Sequence, residues 1–404
     1  MNAPRRAATG GASHPSAGLI GVSLTLLSLA LGSTLTALGA ISLRMARRVV
    51  TPAARIPNVR MVAVDAAAQT VRMERTADTE LPGRYGLFTT GTLDYLRVGS
   101  VVGADDTTVT RKLLTHVPAD ASLAPDAAFS GWYFDEPEQL HLPFRTALIG
   151  APSGPCPAWV FPAERESDVW VVQVHGRGTT RAETLRAVPV FHELGITSLV
   201  VSYRNDGEAP RSRTGTYALG ATEWRDVDAA IAYARRNGAR RVVLMGWSMG
   251  GAIALQADLH SPHRDVIAGL VLESPVVDWR TVLDYQARLL KLPPLVSGLA
   301  RQMVGSDWGV PLVRSGAAIP FDRLDVVARA DELRHPVLLL HSDDDGFVPA
   351  DASHRLAAAR PDLVRMETFT VARHTKLWNY DEDRWSEAIR SWVRGQGLDR
   401  PAGG

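Results

Sequence analysis

The 404-residue chain contains a single cysteine, Cys156, which excludes an intramolecular disulfide and leaves the compartment undefined by cysteine usage. It also lacks an excess of either charge, because 44 lysines and arginines face 43 aspartates and glutamates. No long basic run occurs in its body, which argues against a nucleic-acid partner. No cysteine and histidine group has zinc-ligand spacing, and no glycine-rich phosphate loop is present. We therefore expect no metal and no cofactor, and we treat Cys156 as structural.

Ionisable side chains are also missing from one long stretch, residues 17–43. A bilayer is spanned by about 20 apolar residues, and this run reaches that length before Arg44, Arg47 and Arg48 end it. The stretch predicts a single transmembrane helix over 17–43 that anchors the protein in the cell membrane. Residues 1–16 before it are small and polar, and we expect them to be disordered.

The apolar run has a second interpretation, as a cleaved signal peptide of a secreted protein. Ala37-Leu38-Gly39 offers small residues with the spacing of a cleavage site. The run is longer than the usual signal-peptide core, which favours the uncleaved span. The arginines that follow it favour a cytoplasmic catalytic domain.

Short alternating apolar and polar runs predict a small β-rich accessory domain over residues 61–142. Residues 44–60 before it carry Pro52, Pro57 and scattered arginines, and are predicted to form a linker. An aromatic cluster near the end of the β-rich region is either its core or a binding surface; it consists of Phe129, Trp132, Tyr133 and Phe134.

Strands alternate with helices from Phe144 onward, which is typical of a mostly parallel sheet covered on both faces. In this region an apolar strand leads into Gly246-Trp247-Ser248-Met249-Gly250-Gly251 and then into a helix. That order is the context of a nucleophile elbow, where a strained turn exposes the serine hydroxyl. Gly246 and Gly250 suit the turn because a Cβ there would strike the strand or the helix. The first N–H of the helix, that of Met249, is placed to stabilise an oxyanion.

The order of strands and helices over residues 144–397, with Ser248 at the elbow, resembles the α/β-hydrolase superfamily. His175-Gly176-Arg177-Gly178 and the motif at 246–251 are most similar to the branch of serine aminopeptidase-like and prolyl-oligopeptidase-like hydrolases. The resemblance implies an α/β protein with the α/β-hydrolase fold. It also implies a helical cap at about residues 275–319, where the alternation is interrupted.

A serine nucleophile needs a base and an orienting carboxylate, and in this superfamily they follow in the order serine, acid, histidine. The loop from His341 to Pro349 resembles the family pattern His-Gly-x-x-Asp-x-x-Val-Pro. This match implies that Asp345 is the acid, with Asp343 as the alternative.

Two histidines follow the acid, and the resemblance implies that His374, just ahead of the final helix, is the base. His354 lies within a helical pattern and is expected to be a solvated surface residue. By resemblance to His-Gly-x-Gly loops, the backbone N–H of Arg177 is the second oxyanion donor beside Met249. We expect the side chain of Arg177 to be solvated.

Together these features predict a membrane-anchored serine hydrolase that cleaves a carboxylic ester of a small or lipid-like acyl substrate. The first alternative is a peptidase or aminopeptidase with the same mechanism. The second is a non-catalytic binding protein on the same fold.

Overall fold

The computed structural model describes the backbone of residues 16–52, 55–165 and 167–399, and the side chains in these ranges from residue 32 onward. The segment predicted to be disordered, 1–16, lies outside these residues except for Ser16. The described chain forms a long first helix, a small barrel and a mostly parallel sheet with helices on its faces.

The first helix, α1 (Ser16–Val50), extends further than the sequence suggested. It continues through residues 44–50, which were predicted to be linker, because neither proline nor glycine occurs between Arg44 and Pro52. A proline disfavours the helical conformation of the residue before it, here Thr51. In the part of the chain described with side chains, no helix is long and apolar enough to cross a membrane. Residues 17–31 of the predicted span lie outside that part.

Six antiparallel strands close into a barrel in the order β1-β2-β5-β4-β3-β6. They are β1 (Val59–Asp65), β2 (Thr70–Glu74), β3 (Tyr85–Phe88), β4 (Tyr95–Ala104), β5 (Thr108–Leu113) and β6 (Asp126–Ser130). Alternate side chains point inward and fill an apolar core. Phe129 belongs to this core, whereas Trp132 packs against Trp159 and Phe161 of the next domain. Both aromatic residues therefore serve packing.

Eight further strands form one sheet in the order β14-β13-β12-β11-β9-β10-β8-β7. They are β7 (Arg145–Ala151), β8 (Gly154–Phe161), β9 (Val169–Val174), β10 (Thr197–Val201), β11 (Arg241–Trp247), β12 (Ile267–Glu273), β13 (Val337–Ser342) and β14 (Val364–Phe369). Strands β9 to β14 run parallel to one another, whereas β8 pairs antiparallel with both β10 and β7. Strands β9 and β13 are buried along their whole length, as expected when both faces are covered.

Helices cover this sheet over two apolar clusters, one on each face. After α1 they are α2 (Val188–Glu193), α3 (Trp224–Arg236), α4 (Met249–His260), α5 (Trp279–Leu289), α6 (Pro294–Gly305), α7 (Val310–Val313), α8 (Phe321–Leu324), α9 (Asp351–Ala359), α10 (Leu377–Tyr380) and α11 (Glu382–Gly395). Helices α5 to α8 lie between β12 and β13, where the cap was predicted.

The cap is held from two sides. Trp279 in α5 is buried and donates a 2.8 Å hydrogen bond to the carbonyl of Leu219 in the loop after β10. On the other side, α1 packs along α6 and α7, and Arg47 donates to the carbonyl of Leu312 at 2.9 Å. The apolar residues at the start of the cap fall into two groups. Trp279 and Val282 pack inward, whereas Leu289 and Leu290 are exposed.

Candidate active site

Ser248 occupies the turn between β11 and α4 with φ of 52°, in the left-handed region that non-glycine residues rarely adopt. The flanking glycines make this turn possible. A Cβ on Gly246 would lie 2.4 Å from the carbonyl oxygen of Gly250, and one on Gly250 would lie 2.1 Å from that of Val174. The backbone strain at Ser248 is therefore held in place by close contacts of the strands and helix around it.

His374 lies between Ser248 and Asp345. Its Nε2 is 3.0 Å from Ser248 Oγ, and its Nδ1 is 2.7 Å from Asp345 Oδ2. Burial alone would raise the pKa of Asp345, but the facing His374 and the hydrogen bond from His341 bring that pKa well below its usual range. An ionised carboxylate only accepts hydrogen bonds, so Nδ1 of His374 donates and Nε2 accepts from the Ser248 hydroxyl. This arrangement can remove a proton from Ser248.

Two backbone N–H groups fix the orientation of Asp345. Those of Phe347 and Val348 both donate to Oδ1 at 2.8 Å, which leaves Oδ2 for the imidazole of His374. The ring of Phe347 is half exposed and lies with its centroid 5.2 Å from that of His374. Phe347 therefore forms one wall beside the imidazole.

Asp343, the alternative acid, and His354, the other histidine that follows it, pair with each other instead. Asp343 Oδ1 is 2.7 Å from His354 Nε2, and both side chains are about half exposed, at 50% and 48%. The third aspartate of the loop, Asp344, forms an ion pair with Arg373 at 3.0 Å. Of the three aspartates, only Asp345 reaches His374.

The proposed oxyanion donors, the N–H groups of Met249 and Arg177, belong to two segments that adjoin Ser248. Met249 is the first residue of α4, so its N–H has no acceptor within the helix. A Cβ on Gly176 would lie 3.5 Å from that of Ser248, which places the loop carrying Arg177 against the serine.

The Arg177 side chain was predicted to be solvated, but it is only partly exposed and its guanidinium is hydrogen-bonded to backbone carbonyls. Its Nη2 donates to the carbonyls of Arg48 at 2.5 Å and Thr51 at 2.8 Å. The last turn of α1 supplies the carbonyl of Arg48, and Thr51 follows directly after the helix; sequence reasoning missed both contacts by ending the helix earlier. Arg177 therefore joins the end of α1 to the loop beside Ser248.

A second group of residues that sequence reasoning missed supports the segment around His374. Glu273 is fully buried at the end of β12 and accepts indole hydrogen bonds from Trp247 at 2.8 Å and Trp385 at 2.9 Å. Arg186, also buried, donates to the carbonyl of Thr375 at 2.8 Å. The N–H of Thr375 in turn donates to Ser274 Oγ at 3.2 Å. A glutamate that closes an otherwise apolar strand was the one sequence signal for this network.

The sheet order, the elbow serine and the cap between β12 and β13 define the class of this protein as an α/β hydrolase. A family model described as "Alpha/beta hydrolase family" matches residues 171–388, more than half of the chain. The chain belongs to this family. A second model, "Domain of unknown function (DUF8805)", matches residues 60–130, the region of the barrel.

Two curated relatives are similar over part of the chain. The 2-hydroxy-6-oxononadienedioate/2-hydroxy-6-oxononatrienedioate hydrolase of Cupriavidus pinatubonensis is 29% identical over 37% of this chain and 53% of its own length. The human protein ABHD12B is 27% identical over 49% of this chain and 51% of its own length. The chain thus spans about half the length of these relatives.

The fold is also similar to that of a solved esterase from Pyrococcus furiosus. The two superpose with a TM-score of 0.51 over 65% of this chain and 94% of the esterase, at 16% identity. At that identity the likeness establishes the shared fold alone. The narrower branch of peptidase-like hydrolases stays a prediction from the two sequence motifs.

Proposed function

We propose that this protein is a serine hydrolase that cleaves carboxylic esters through an acyl-enzyme. The observation that carries the proposal is the continuous contact from Asp345 through His374 to Ser248 on a strained elbow. A serine, a base and a buried carboxylate in this order are the parts that make an alcohol nucleophilic.

In the proposed reaction, Ser248 Oγ attacks the acyl carbon while His374 Nε2 takes its proton. Asp345 stabilises the imidazolium, and the N–H groups of Met249 and Arg177 donate to the oxyanion. Collapse of this intermediate expels the alcohol, which takes the proton from His374. A water molecule deprotonated by His374 then attacks the acyl-enzyme and releases the carboxylic acid and Ser248.

An ester makes fewer demands on such a site than the substrate of an aminopeptidase does. Its alkoxide leaves with one proton from His374, whereas an aminopeptidase must also bind the ammonium group of its substrate. A panel of p-nitrophenyl esters and aminoacyl p-nitroanilides tests this choice. Faster turnover of the anilides would favour the peptidase alternative.

The central experiment is labelling with a fluorophosphonate probe together with hydrolysis of p-nitrophenyl esters. We expect Ser248→Ala to abolish labelling and to lower kcat by about 10³-fold or more. His374→Ala and Asp345→Asn should lower kcat by about 10²- to 10⁴-fold.

The chain offers matched controls for both variants. His354→Ala and Asp343→Asn alter the same residue types in the exposed pair beside the site and should leave kcat within about twofold. Wild-type protein that is folded yet resists the probe would contradict the proposal, as would equal activity in Ser248→Ala.

Membrane attachment through residues 17–43 also stays a proposal. It is supported by the absence of ionisable side chains from that stretch and by the arginines that follow it. We expect the full-length chain to stay in the membrane pellet after alkaline carbonate extraction. Release into the supernatant would contradict the attachment.

A further inference from the structure

A cavity of about 510 Å³ lies between the barrel side of the molecule and the edge of the large sheet. We call it the interdomain cavity. Three segments contribute to its lining: Thr51, Pro52 and Arg55 after α1, residues 178–180 after β9, and several residues between Asn205 and Tyr217 after β10. Trp132, from the chain that follows the barrel, closes one side. Neither the nucleophile nor its base lines this space, so the chemistry proposed above does not account for it.

The interdomain cavity is close to the nucleophile. Strands β10, β9 and β11 are consecutive neighbours in the sheet, and their carboxyl ends meet at one edge. Neighbouring strands lie about 4.8 Å apart, so the loops after β9 and β10 begin one and two such spacings from the strand that carries Ser248. A Cβ on Gly176 would lie 3.5 Å from that of Ser248, and Gly178 of the same loop lines the cavity. The non-reacting part of an ester bound at Ser248 therefore has this space within reach.

Arg55 supplies an unpaired positive charge to the interdomain cavity. Its guanidinium lies over the rings of Phe88 and Trp132, with its carbon 3.1 Å and 4.5 Å from their centroids. In the described part of the chain no hydrogen bond or ion pair reaches that guanidinium. Burial lowers the pKa of Arg55 to about 10, and the charge of Glu183 opposes this shift. A desolvated cation is costly unless an anion pairs with it.

Arg55 also lines a second, smaller cavity together with Asp94, Asp126 and Asp135, whereas the carboxylates on the side of the interdomain cavity, those of Asp206 and Glu183, already accept hydrogen bonds. Asp206 is the one acidic lining residue of the interdomain cavity, and its side chain is fully buried. Oδ2 of Asp206 lies 3.2 Å from His175 Nε2, and Oδ1 accepts from the N–H groups of Glu208 and Ala209 at 2.8 and 2.7 Å. Glu183 accepts from the N–H of Gly176 at 2.8 Å. Asp206 and Glu183 keep their negative charge, but their oxygen atoms already have donors, whereas no acceptor in the described part of the chain reaches the guanidinium of Arg55.

Arg211 adds to this positive charge from the rim of the interdomain cavity, where its side chain is exposed. Guanidinium groups bind carboxylate and phosphate with two parallel hydrogen bonds, a geometry that a planar side chain held against aromatic rings favours. A second arginine at the entrance would attract such an anion before it reaches Arg55.

We propose that the interdomain cavity binds an oxyanion group, a carboxylate or a phosphate, on the non-reacting part of the substrate, with Arg55 as its main partner. The inference rests on the proposed ester hydrolysis at Ser248 and adds a substrate class to it: esters that carry a negative charge a few bonds away from the acyl carbon.

Two pairs of substrates test the inference on the full-length chain. The first compares methyl hydrogen adipate with methyl hexanoate, which places a carboxylate on the acyl side. The second compares a monobutyryl glycerol phosphate with monobutyryl glycerol, which places a phosphate on the alcohol side. We expect wild type to prefer the anionic member of at least one pair by about tenfold or more in kcat/KM, the range of a charge-assisted hydrogen bond.

The preferred pair is then repeated with Arg55→Gln. We expect the ratio of anionic to neutral kcat/KM to fall to about one, while kcat/KM for the neutral ester stays within about threefold. Arg72→Gln, at an exposed arginine of β2, is the matched control and should keep the wild-type ratio. Fluorophosphonate labelling of Ser248 in each variant shows that the site is folded.

The remaining outcomes contradict either this inference alone or the proposed function together with it. Equal rates within both wild-type pairs would overturn the inference alone. A preference that survives in Arg55→Gln would do the same, as would an equal loss on the anionic and neutral esters. Failure of wild type to hydrolyse any ester, together with failure to react with the probe, would overturn the proposed function and this inference with it.

Discussion

Burial separates the roles of single residues in this site more sharply than their chemical type does. Three consecutive aspartates follow β13, and each has a different partner: His354 for Asp343, Arg373 for Asp344 and His374 for Asp345. Only Asp345 has a fully buried side chain, and only its partner touches the serine. The same distinction holds between the two histidines, because His354 is half exposed and His374 is mostly covered.

The buried carboxylate predicts a pH dependence of stability. The pKa of Asp345 in the folded protein is lowered below the unfolded value of about 3.9. Ionised Asp345 therefore stabilises the fold above that pH, and this contribution is lost as the pH falls toward the folded pKa. We expect the gap in unfolding free energy between wild type and Asp345→Asn to be largest near pH 7 and to narrow from about pH 4 to about pH 2.5.

Urea unfolding at these pH values measures the gap. Asp343→Asn is the control, since an exposed aspartate in the same loop should change stability little at any of them. A gap of constant size across the series would contradict the assignment of the shift to Asp345.

Sequence reasoning singled out Ser248, Asp345 and His374, which the structure brings into contact, because their signals are local motifs and their order along the chain is a family property. It could not reach the contacts of Arg177 with Arg48 and Thr51 or those of Arg186 with Thr375, which join residues distant in sequence. Such contacts depend on how whole elements pack, and a single arginine in a sequence carries no sign of its partner.

At the scale of elements, the elbow depends on the absence of side chains at two positions. Gly250 in the first turn of α4 lies against the carbonyls of β9, and Gly246 lies against α4 itself. The helix can thus approach the sheet closely enough to hold Ser248 in its strained conformation. Gly298, within α6 of the cap, has no such neighbours, because an added Cβ there meets nothing within 4 Å.

Gly298 and Gly250 both lie in helices and give a matched pair of substitutions. Gly298→Ala should stabilise the protein by about 0.5–1 kcal/mol, since alanine loses less conformational entropy in a helix. Gly250→Ala should destabilise it by more than about 3 kcal/mol and remove the proposed esterase activity, since the new methyl group meets backbone atoms that cannot move aside. Thermal unfolding of both variants measures the difference, and equal melting temperatures would refute this account of the elbow.

The strand and helix alternation after Phe144 predicted the sheet because each element carries its own periodicity. The end of α1 was predicted wrongly because the three arginines were taken to end the apolar helix, whereas arginine is itself a good helix former. Closure of the barrel needs β1 to pair with β6 across more than 60 residues, and no local pattern specifies a pairing of that separation.

At the scale of the whole molecule, the barrel and the hydrolase domain share buried polar contacts. Arg186 donates to the carbonyl of Gly131, just after the barrel, and to that of Thr375, next to His374, both at 2.8 Å. Asn379 donates to the carbonyl of Arg84 at the barrel, also at 2.8 Å. The barrel therefore helps to position the segment that carries the imidazole.

We expect Arg186→Met to lower the unfolding free energy by about 3–5 kcal/mol, because it leaves the buried Glu273 without its cation, 3.9 Å away. Arg390→Met removes a surface ion pair with Glu193 and should cost less than about 1 kcal/mol. Chemical unfolding measures the loss of unfolding free energy in each variant, and hydrogen exchange in both domains shows where in the molecule that loss falls. A loss for Arg186→Met no larger than that for Arg390→Met would show that the buried contacts are dispensable.

The tie between Arg177 and the last turn of α1 has a practical bearing on how the protein is produced. Shortened versions that omit the apolar N-terminal run are an obvious choice for crystallisation, and a cut at residue 44 would follow the predicted end of the span. Such a cut would begin inside a helix and fray the turns that bury Ala46 and Val50. It would also disturb the carbonyls of Arg48 and Thr51, which accept from Arg177. A truncation that begins near residue 32 keeps those turns intact, and with them the loop beside the nucleophile.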